Sequence, residues 1–402
     1  MTGRQAFPPS ITGKGALHEG SVLDHSFGKG DPYTLGVEEE YQLLDGESLD
    51  LVQHIETMLD AVSGHELEDR INPELMQSVI EITTPVCRTA GDVSRELLKL
   101  RRYVTEVAHS KGLRVGSAGT HPFSLFERQR ITANDRYRAL IHQMQYIARR
   151  ELIFGMHVHV AVDDPEKAIK VVNGLLPQLG PLLALSASSP FWRGEPTGLA
   201  SSRQMVFSAF PRSGPPPRFR DYADYAEVVG QLEKSGCIAD YTSIWWDIRL
   251  HPRLGTVEIR ICDAVTRVDD AVAIAAYCQS LVKQLSEQYD AGEEIPSYHR
   301  ILTTENKWLA ARYGLEAPVM DLASGRRNRI PVARLVRRTL PTIAPHAREL
   351  GCERELEGVR DILSRGSSAD RQLRIYNTNR DIVEVAREIA DATEALPAVV
   401  TS

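Results

Sequence analysis

Four short segments of this chain read with a period of two. In most of them aliphatic side chains fall on one side, with carboxylate, imidazole or guanidinium groups on the other. In residues 33–44, Tyr33, Leu35, Val37, Tyr41 and Leu43 share a face with Glu39, while Glu38 and Glu40 occupy the opposite face. Residues 77–86 set Glu81 among Val79, Ile80 and Ile82, with Glu74 just upstream. Residues 153–162 put Gly155, His157 and His159 against Phe154, Met156, Val158 and Val160. Residues 256–262 put Glu258 and Arg260 against Val257, Ile259 and Ile261, and pair with residues 243–250 across a turn holding Pro252 and Gly255. A period of two marks a strand with one buried face. Four such strands must share a core, so the chain folds around a sheet.

The polar faces constrain the chemistry. Glu38 and Glu40 lie ~7 Å apart along a strand. Two ionised carboxylates at that distance repel by roughly 2 kcal/mol at an effective dielectric of about 20. A lone Glu-x-Glu reads as a solvated edge, and such a face more often carries Lys, Thr, Ser and Gln. Here several strands carry ligand-type groups, so cations between the acids are the better explanation. Glu38, Glu40, Glu74, Glu81 and Glu258 with a histidine suit Mg²⁺ or Mn²⁺ better than Zn²⁺, which prefers Cys and His. Several such cations on one sheet would offset the charge of a triphosphate. Arg249 and Arg260, on adjacent hairpin strands, could hold a transferred phosphoryl group, although surface pairing with the acids is also open to them. No GxxxxGK[ST], GxSxG or HExxH motif occurs. The His157-Val-His159 pair could serve a metal-dependent hydrolase, but that chemistry needs further histidines on strand ends. His251 precedes a turn proline, and His299 and His346 lie in helical sequence.

After residue 269 the periodicity turns helical: 269–289, 305–313, 332–339, 353–364 and 381–393. Earlier helical stretches cover 92–109, 135–150 and 165–179, and 113–118 is a further strand. Strands early and helices late predict an α+β fold with a largely antiparallel sheet. No linker divides it, so residues 32–395 are expected to form one domain, with tails at 1–31 and 396–402. The uncharged stretch 171–192 is interrupted by Asn173, Pro177, Gln178 and Pro181 and reads as a buried helix pair rather than a membrane span. The chain has 402 residues, a net charge of -7 and mixed signs, which do not favour nucleic-acid binding. Five cysteines without a CxxC pair fit a reducing cytoplasm. The oligomeric state stays open, a homodimer being one option.

Five motifs in order, GVEEEY (36–41), ELMQSVIEITTPV (74–86), GMHVHV (155–160), HPRLGTVEIRICDA (251–264) and ENKWLAARYGL (305–315), resemble the YbdK-like carboxylate–amine ligases. That family is also called type 2 glutamate–cysteine ligase, within the glutamine-synthetase-like superfamily. The resemblance spans residues 33–393. It implies a concave, carboxylate-lined sheet with helices packed behind it. It also implies magnesium ligands at Glu38, Glu40, Glu74, Glu81, His157 and Glu258, with His159 leaving open which histidine binds, and Arg260 on the transferred phosphate. The implied reaction is ATP-dependent: a glutamate γ-carboxylate takes the γ-phosphoryl group, and an amine, cysteine in the named activity, displaces phosphate from the acyl phosphate. Arg203, in the segment 201–216, is a candidate for gripping a substrate carboxylate. Asn306 and Arg312 are candidates for a nucleotide or phosphate contact. Partners are then small molecules only: ATP, an acid and an amine, with another acid–amine pair as an alternative.

Overall fold

The computed structural model describes residues 24–324 and 328–396. Its centre is the eleven-residue strand β1 (Leu35–Asp45). Around it lie β2 (Ile71–Pro73), β3 (Val79–Thr83), β4 (Leu113–Gly116), β5 (Met156–Ala161), β6 (Ile248–His251) and β7 (Thr256–Ile259). The order across the sheet is β6-β7-β5-β1-β3-β2, and β4 takes up the edge of β1 where β5 leaves it. Every pairing in this sheet is antiparallel.

The apolar faces meet two long helices, α1 (Ala90–Ser110) and α2 (Val268–Asp290). Helix α1 starts at a capping box, in which Thr89 accepts from the Asp92 backbone and the Asp92 carboxylate accepts in return from the Thr89 N–H. One continuous core joins Leu35, Val37, Tyr41, Ile80, Ile82, Met156, Val158, Val160, Val257 and Ile259 of the strands to Val93, Leu97, Leu100 and Val104 of α1 and to Ala271, Ile274 and Cys278 of α2. The helices therefore lie behind the sheet and leave its acidic face to the other side. The apolar run 165–186 is long enough to cross a membrane, yet most of it is buried within the fold as the helices Pro165–Leu175 and Leu179–Ser186.

Several boundaries differ from the sequence expectation. The helix expected to stop near residue 339 runs from Val332 to Glu349 through Pro341 and Pro345. Burial of Val336, Leu340, Ile343 and Ala347 along one face offsets the two lost amide donors. The stretch 135–150 breaks at Gln145, whose φ is 52°. The helices Tyr222–Lys234 and Ser368–Asn379 were not expected. Of the tail assigned to residues 1–31, residues 1–23 lie outside the described residues, whereas 25–27 pack onto the rest of the fold. Phe27 is buried, and the Ser26 N–H donates to the Pro252 carbonyl at 2.8 Å.

One charged pair sits inside the apolar layer. Glu39 is fully buried, and Arg101 of α1 reaches it with Nε at 3.0 Å and Nη2 at 2.5 Å. Removing one partner of such a pair strands the other charge. Arg101→Met is therefore expected to cost about 3–5 kcal/mol of unfolding free energy, read by urea denaturation. An unchanged midpoint would contradict this.

Candidate active site

The register assembles the acidic face. Glu38 stands opposite His157 on β5 and Thr83 on β3, and Glu40 opposite Glu81. Glu258 on β7 stands opposite His159 on one side and Arg249 on the other. Glu74 arrives from the link between β2 and β3, its Oε2 accepting from the Leu75 N–H at 2.9 Å.

Two groups of three ligand atoms result, each within 4.8 Å of one another: Glu38, His159 and Glu258, and Glu40, Glu74 and Glu81. His159 Nε2 lies 3.3 Å from Glu38 Oε1 and 3.8 Å from Glu258 Oε1, without a well-aligned hydrogen bond. His159 Nδ1 is turned to Thr256 Oγ1 at 3.0 Å, and His157 Nδ1 to Glu38 Oε2 at 2.9 Å. The second group is all carboxylate, a donor set fitting a hard divalent cation such as Mg²⁺ or Mn²⁺. The first, two carboxylates and a buried imidazole, fits the same ions.

Arginines border both groups. Arg249 grips both oxygens of Glu258, at 2.7 and 3.1 Å, and its Nη1 donates to the Thr242 and Ile244 carbonyls. Expected to reach a phosphoryl group, it is instead engaged by the protein along its whole fork. Arg260 also donates to Glu258, but its buried Nε has no partner. Arg203 is buried, and its Nη2 lies against Gly155, where a Cβ would collide with it. Nearby polar groups are unsatisfied: Arg150 Nε, Glu151 Oε2, Arg203 Nε and Gln204 Oε1 are buried without hydrogen-bond partners. Buried polar atoms are normally paired, so this combination of donors and acceptors is suited to a polar ligand. The arrangement places groups able to hold divalent cations beside guanidinium groups on one face of the sheet.

Comparison with known proteins identifies the family. The model of the glutamate–cysteine ligase family 2 matches residues 34–392. A Rubrobacter xylanophilus protein with the provisional name glutamate–cysteine ligase 2-1 is 44% identical over 361 residues, covering 90% of this chain and 95% of its own. A Sorangium cellulosum protein provisionally named glutamate–cysteine ligase 2 is 42% identical over 360 residues, covering 89% and 96%. The chain belongs to glutamate–cysteine ligase family 2. It is an ATP-dependent carbon–nitrogen ligase. In fold it is similar to the glutamate–cysteine ligase of Francisella tularensis crystallised with AMP (TM-score 0.65, 13% identity, 92% of this chain and 91% of the other). It is also similar to a bifunctional glutathione synthetase of Pasteurella multocida (TM-score 0.60, 16% identity, 90% and 51%).

Within this ligase the sequence-derived site divides. Glu38, Glu40, Glu74, Glu81, Glu258, His157, His159, Arg203 and Arg260 converge on one face. Asn306 does not join them: its side-chain amide bonds the Met320 backbone at both ends. Arg312 donates to the Gly198 carbonyl. Sequence reasoning missed Glu151, Gln204 and Asp263. Asp263 is fully buried, accepts from Ser189 and Ser201 hydroxyls at 2.7 and 2.8 Å, and stands 3.9 Å from Arg203. His251, set aside in the sequence because a turn proline follows it, meets the His159 ring edge-on at 5.6 Å. An acid ending the motif EIRICD was the available signal for Asp263; Glu151 and Gln204 lay in segments with no periodicity to mark them.

The two acid groups differ in charge. Burial opposes ionisation of Glu258, but Arg249 and Arg260 outweigh it and hold the carboxyl well below its ordinary value. Burial opposes ionisation of Glu38 too, but the hydrogen bond with His157 and the close His159 ring hold its carboxyl low. Burial, then the Arg260 charge, brings His157 down to about 4. In the second group burial and the Glu74 carboxylate push Glu40 up to about 7. Burial with Glu74 and Glu38 holds Glu81 well above its usual value. Without a cation this group keeps protons that a cation must displace. A carboxyl raised in the folded state contributes stability that is complete below its unfolded value of 4.5 and is lost as pH rises to about 7. In chelator, the melting temperature should therefore fall between those pH values, and fall less in Glu40→Gln. Saturating Mg²⁺ should reverse the fall while releasing protons, measured by calorimetry in buffers of different ionisation enthalpy. A melting temperature rising through that window, equally in wild type and variant, would contradict the assignment.

Proposed function

We propose that this ligase joins the γ-carboxylate of glutamate to the amine of cysteine through an acyl phosphate, releasing ADP and phosphate, and that its acid groups hold Mg²⁺ or Mn²⁺. The observation that carries the reading is the pair of three-ligand groups beside Arg260 and Arg203 on one sheet face. Glu38, Glu258 and a histidine would hold one cation, and Glu40, Glu74 and Glu81 another. Bound there, such cations offset the charge of the triphosphate and of the phosphoryl group in transfer. Arg260 faces the same space, and its planar fork suits phosphoryl oxygens. Arg203 and Arg150 offer guanidinium donors to a substrate carboxylate, while Glu151 and Gln204 offer acceptors to an ammonium. These donors and acceptors, left unsatisfied together, suit an amino-acid substrate. The provisional names of the relatives support glutamate and cysteine. All five cysteines are unpaired and four are buried, which supports a place in the cytoplasm.

The role of Arg260 is separable from neutralisation of Glu258, because Arg249 already occupies both Glu258 oxygens. Lysine could replace a charge but not a fork. ADP release is expected with ATP, Mg²⁺, glutamate and cysteine together, above that with other acid–amine pairs. Under the same conditions Arg260→Lys is expected to lose more than about tenfold in kcat, ~1.4 kcal/mol of barrier, with nucleotide affinity little changed. Equal turnover with unrelated acid–amine pairs would refute the substrate assignment, and a wild-type kcat would remove Arg260 from the reaction.

A further inference from the structure

Between the two acids that face the site, β1 carries a third that faces away from it. Glu39 points into the core, and Arg101 is the cation that meets it there. We infer that Arg101 is a positioning residue for both acid groups, acting through Glu39; this rests on reading those groups as divalent-cation sites. Arg101 spans two parts of the sheet. Its Nε and Nη2 hold the two Glu39 oxygens, while Nη1 donates to the Thr266 carbonyl at 2.8 Å and Nη2 to the Val265 carbonyl at 3.2 Å. Val265 and Thr266 follow the strand that carries Glu258, and the Ser117 hydroxyl also bonds the Val265 carbonyl at 2.9 Å. The Tyr41 hydroxyl, on the same face of β1, donates to Glu39 and completes the set of partners.

One guanidinium thus ties the middle of β1 to the chain leaving β7. Glu38 and Glu258 belong to one ligand group but stand on strands separated by β5. The main-chain pairing does not join those two strands directly; β5 lies between them, and the Arg101 bridge links them from behind. Ligand atoms must be held within about 0.5 Å of their productive places. A buried ion pair is also a costly way to fill a core, because well-packed apolar side chains of similar volume are often as stable or more so. Simple stability therefore does not account for Glu39, Tyr41 and Arg101, whereas a fixed placement of Glu38 and Glu40 does.

The test replaces the whole buried set with apolar groups, Glu39→Leu, Tyr41→Phe and Arg101→Met together, so that no charge is stranded. Mn²⁺ binding to the free protein is measured by electron paramagnetic resonance, alongside melting temperature and kcat. The inference expects a folded protein whose Mn²⁺ affinity falls at least tenfold. A folded triple variant with wild-type Mn²⁺ affinity would overturn it. If the triple variant does not fold, Arg101→Lys is read the same way, because lysine keeps the charge but cannot bond two carboxylate oxygens and two carbonyls at once. Glu38→Gln and Glu40→Gln serve as references. Wild-type Mn²⁺ binding in both would overturn the reading of the acid groups themselves. Loss of binding in them with none in the triple variant would overturn the role of Arg101 alone.

Discussion

Three consecutive glutamates, Glu38, Glu39 and Glu40, occupy the central strand of an antiparallel sheet, and the strand's pleat sends them to opposite sides. A carboxylate inside a sheet needs either a counter-charge or a proton. Glu39 is answered from behind by Arg101, and Glu38 from the same face by His157 and His159. Glu40 meets two further acids, Glu74 and Glu81, and the backbone N–H of Gly155 at 2.5 Å, with Arg203 and Arg260 acting on it from farther off. The pleat thus sets one charge among the helices behind the sheet and two on the acidic face in front.

The division of charge explains how one face can serve a ligase. Near Glu258 the positive charges of Arg249 and Arg260 are built in, so that carboxylate is ionised whether or not a cation is present. Around Glu40 burial and the neighbouring carboxylates outweigh Arg203 and Arg260, and the acids hold protons that a cation can replace. Arg203 lies against Gly155 on the near side of this second group, among the unsatisfied polar atoms of Arg150, Glu151 and Gln204. On the proposed function, the cation ligands and the unsatisfied polar groups are thus neighbours, as a reaction between a nucleotide and an amino acid requires.

Much of this was legible in the sequence because alternation is a local property. The faces of residues 33–44, 153–162 and 256–262 could be read directly, and so could the residues sharing them. What the sequence could not supply was register and partner. Arg249 and Arg260 looked equivalent until the hairpin register placed both oxygens of Glu258 under Arg249. Glu39 was visible as an acid on an apolar face, but its partner lies 62 positions away on a helix whose spacing says nothing of a buried guanidinium. Asn306 sat in a motif shared with ligases, yet its amide closes a backbone bridge to Met320. The choice between His157 and His159 is one of ring orientation, which no spacing encodes.

The central claim is that this sheet face holds two divalent cations at sites divided by β1. Anomalous diffraction from crystals soaked in Mn²⁺ and a non-hydrolysable ATP analogue tests it most directly. The account predicts two separate anomalous peaks, one contacting Glu38, Glu258 and a histidine, the other contacting Glu40, Glu74 and Glu81. Peaks away from these carboxylates, or none on this face with nucleotide bound, would contradict it.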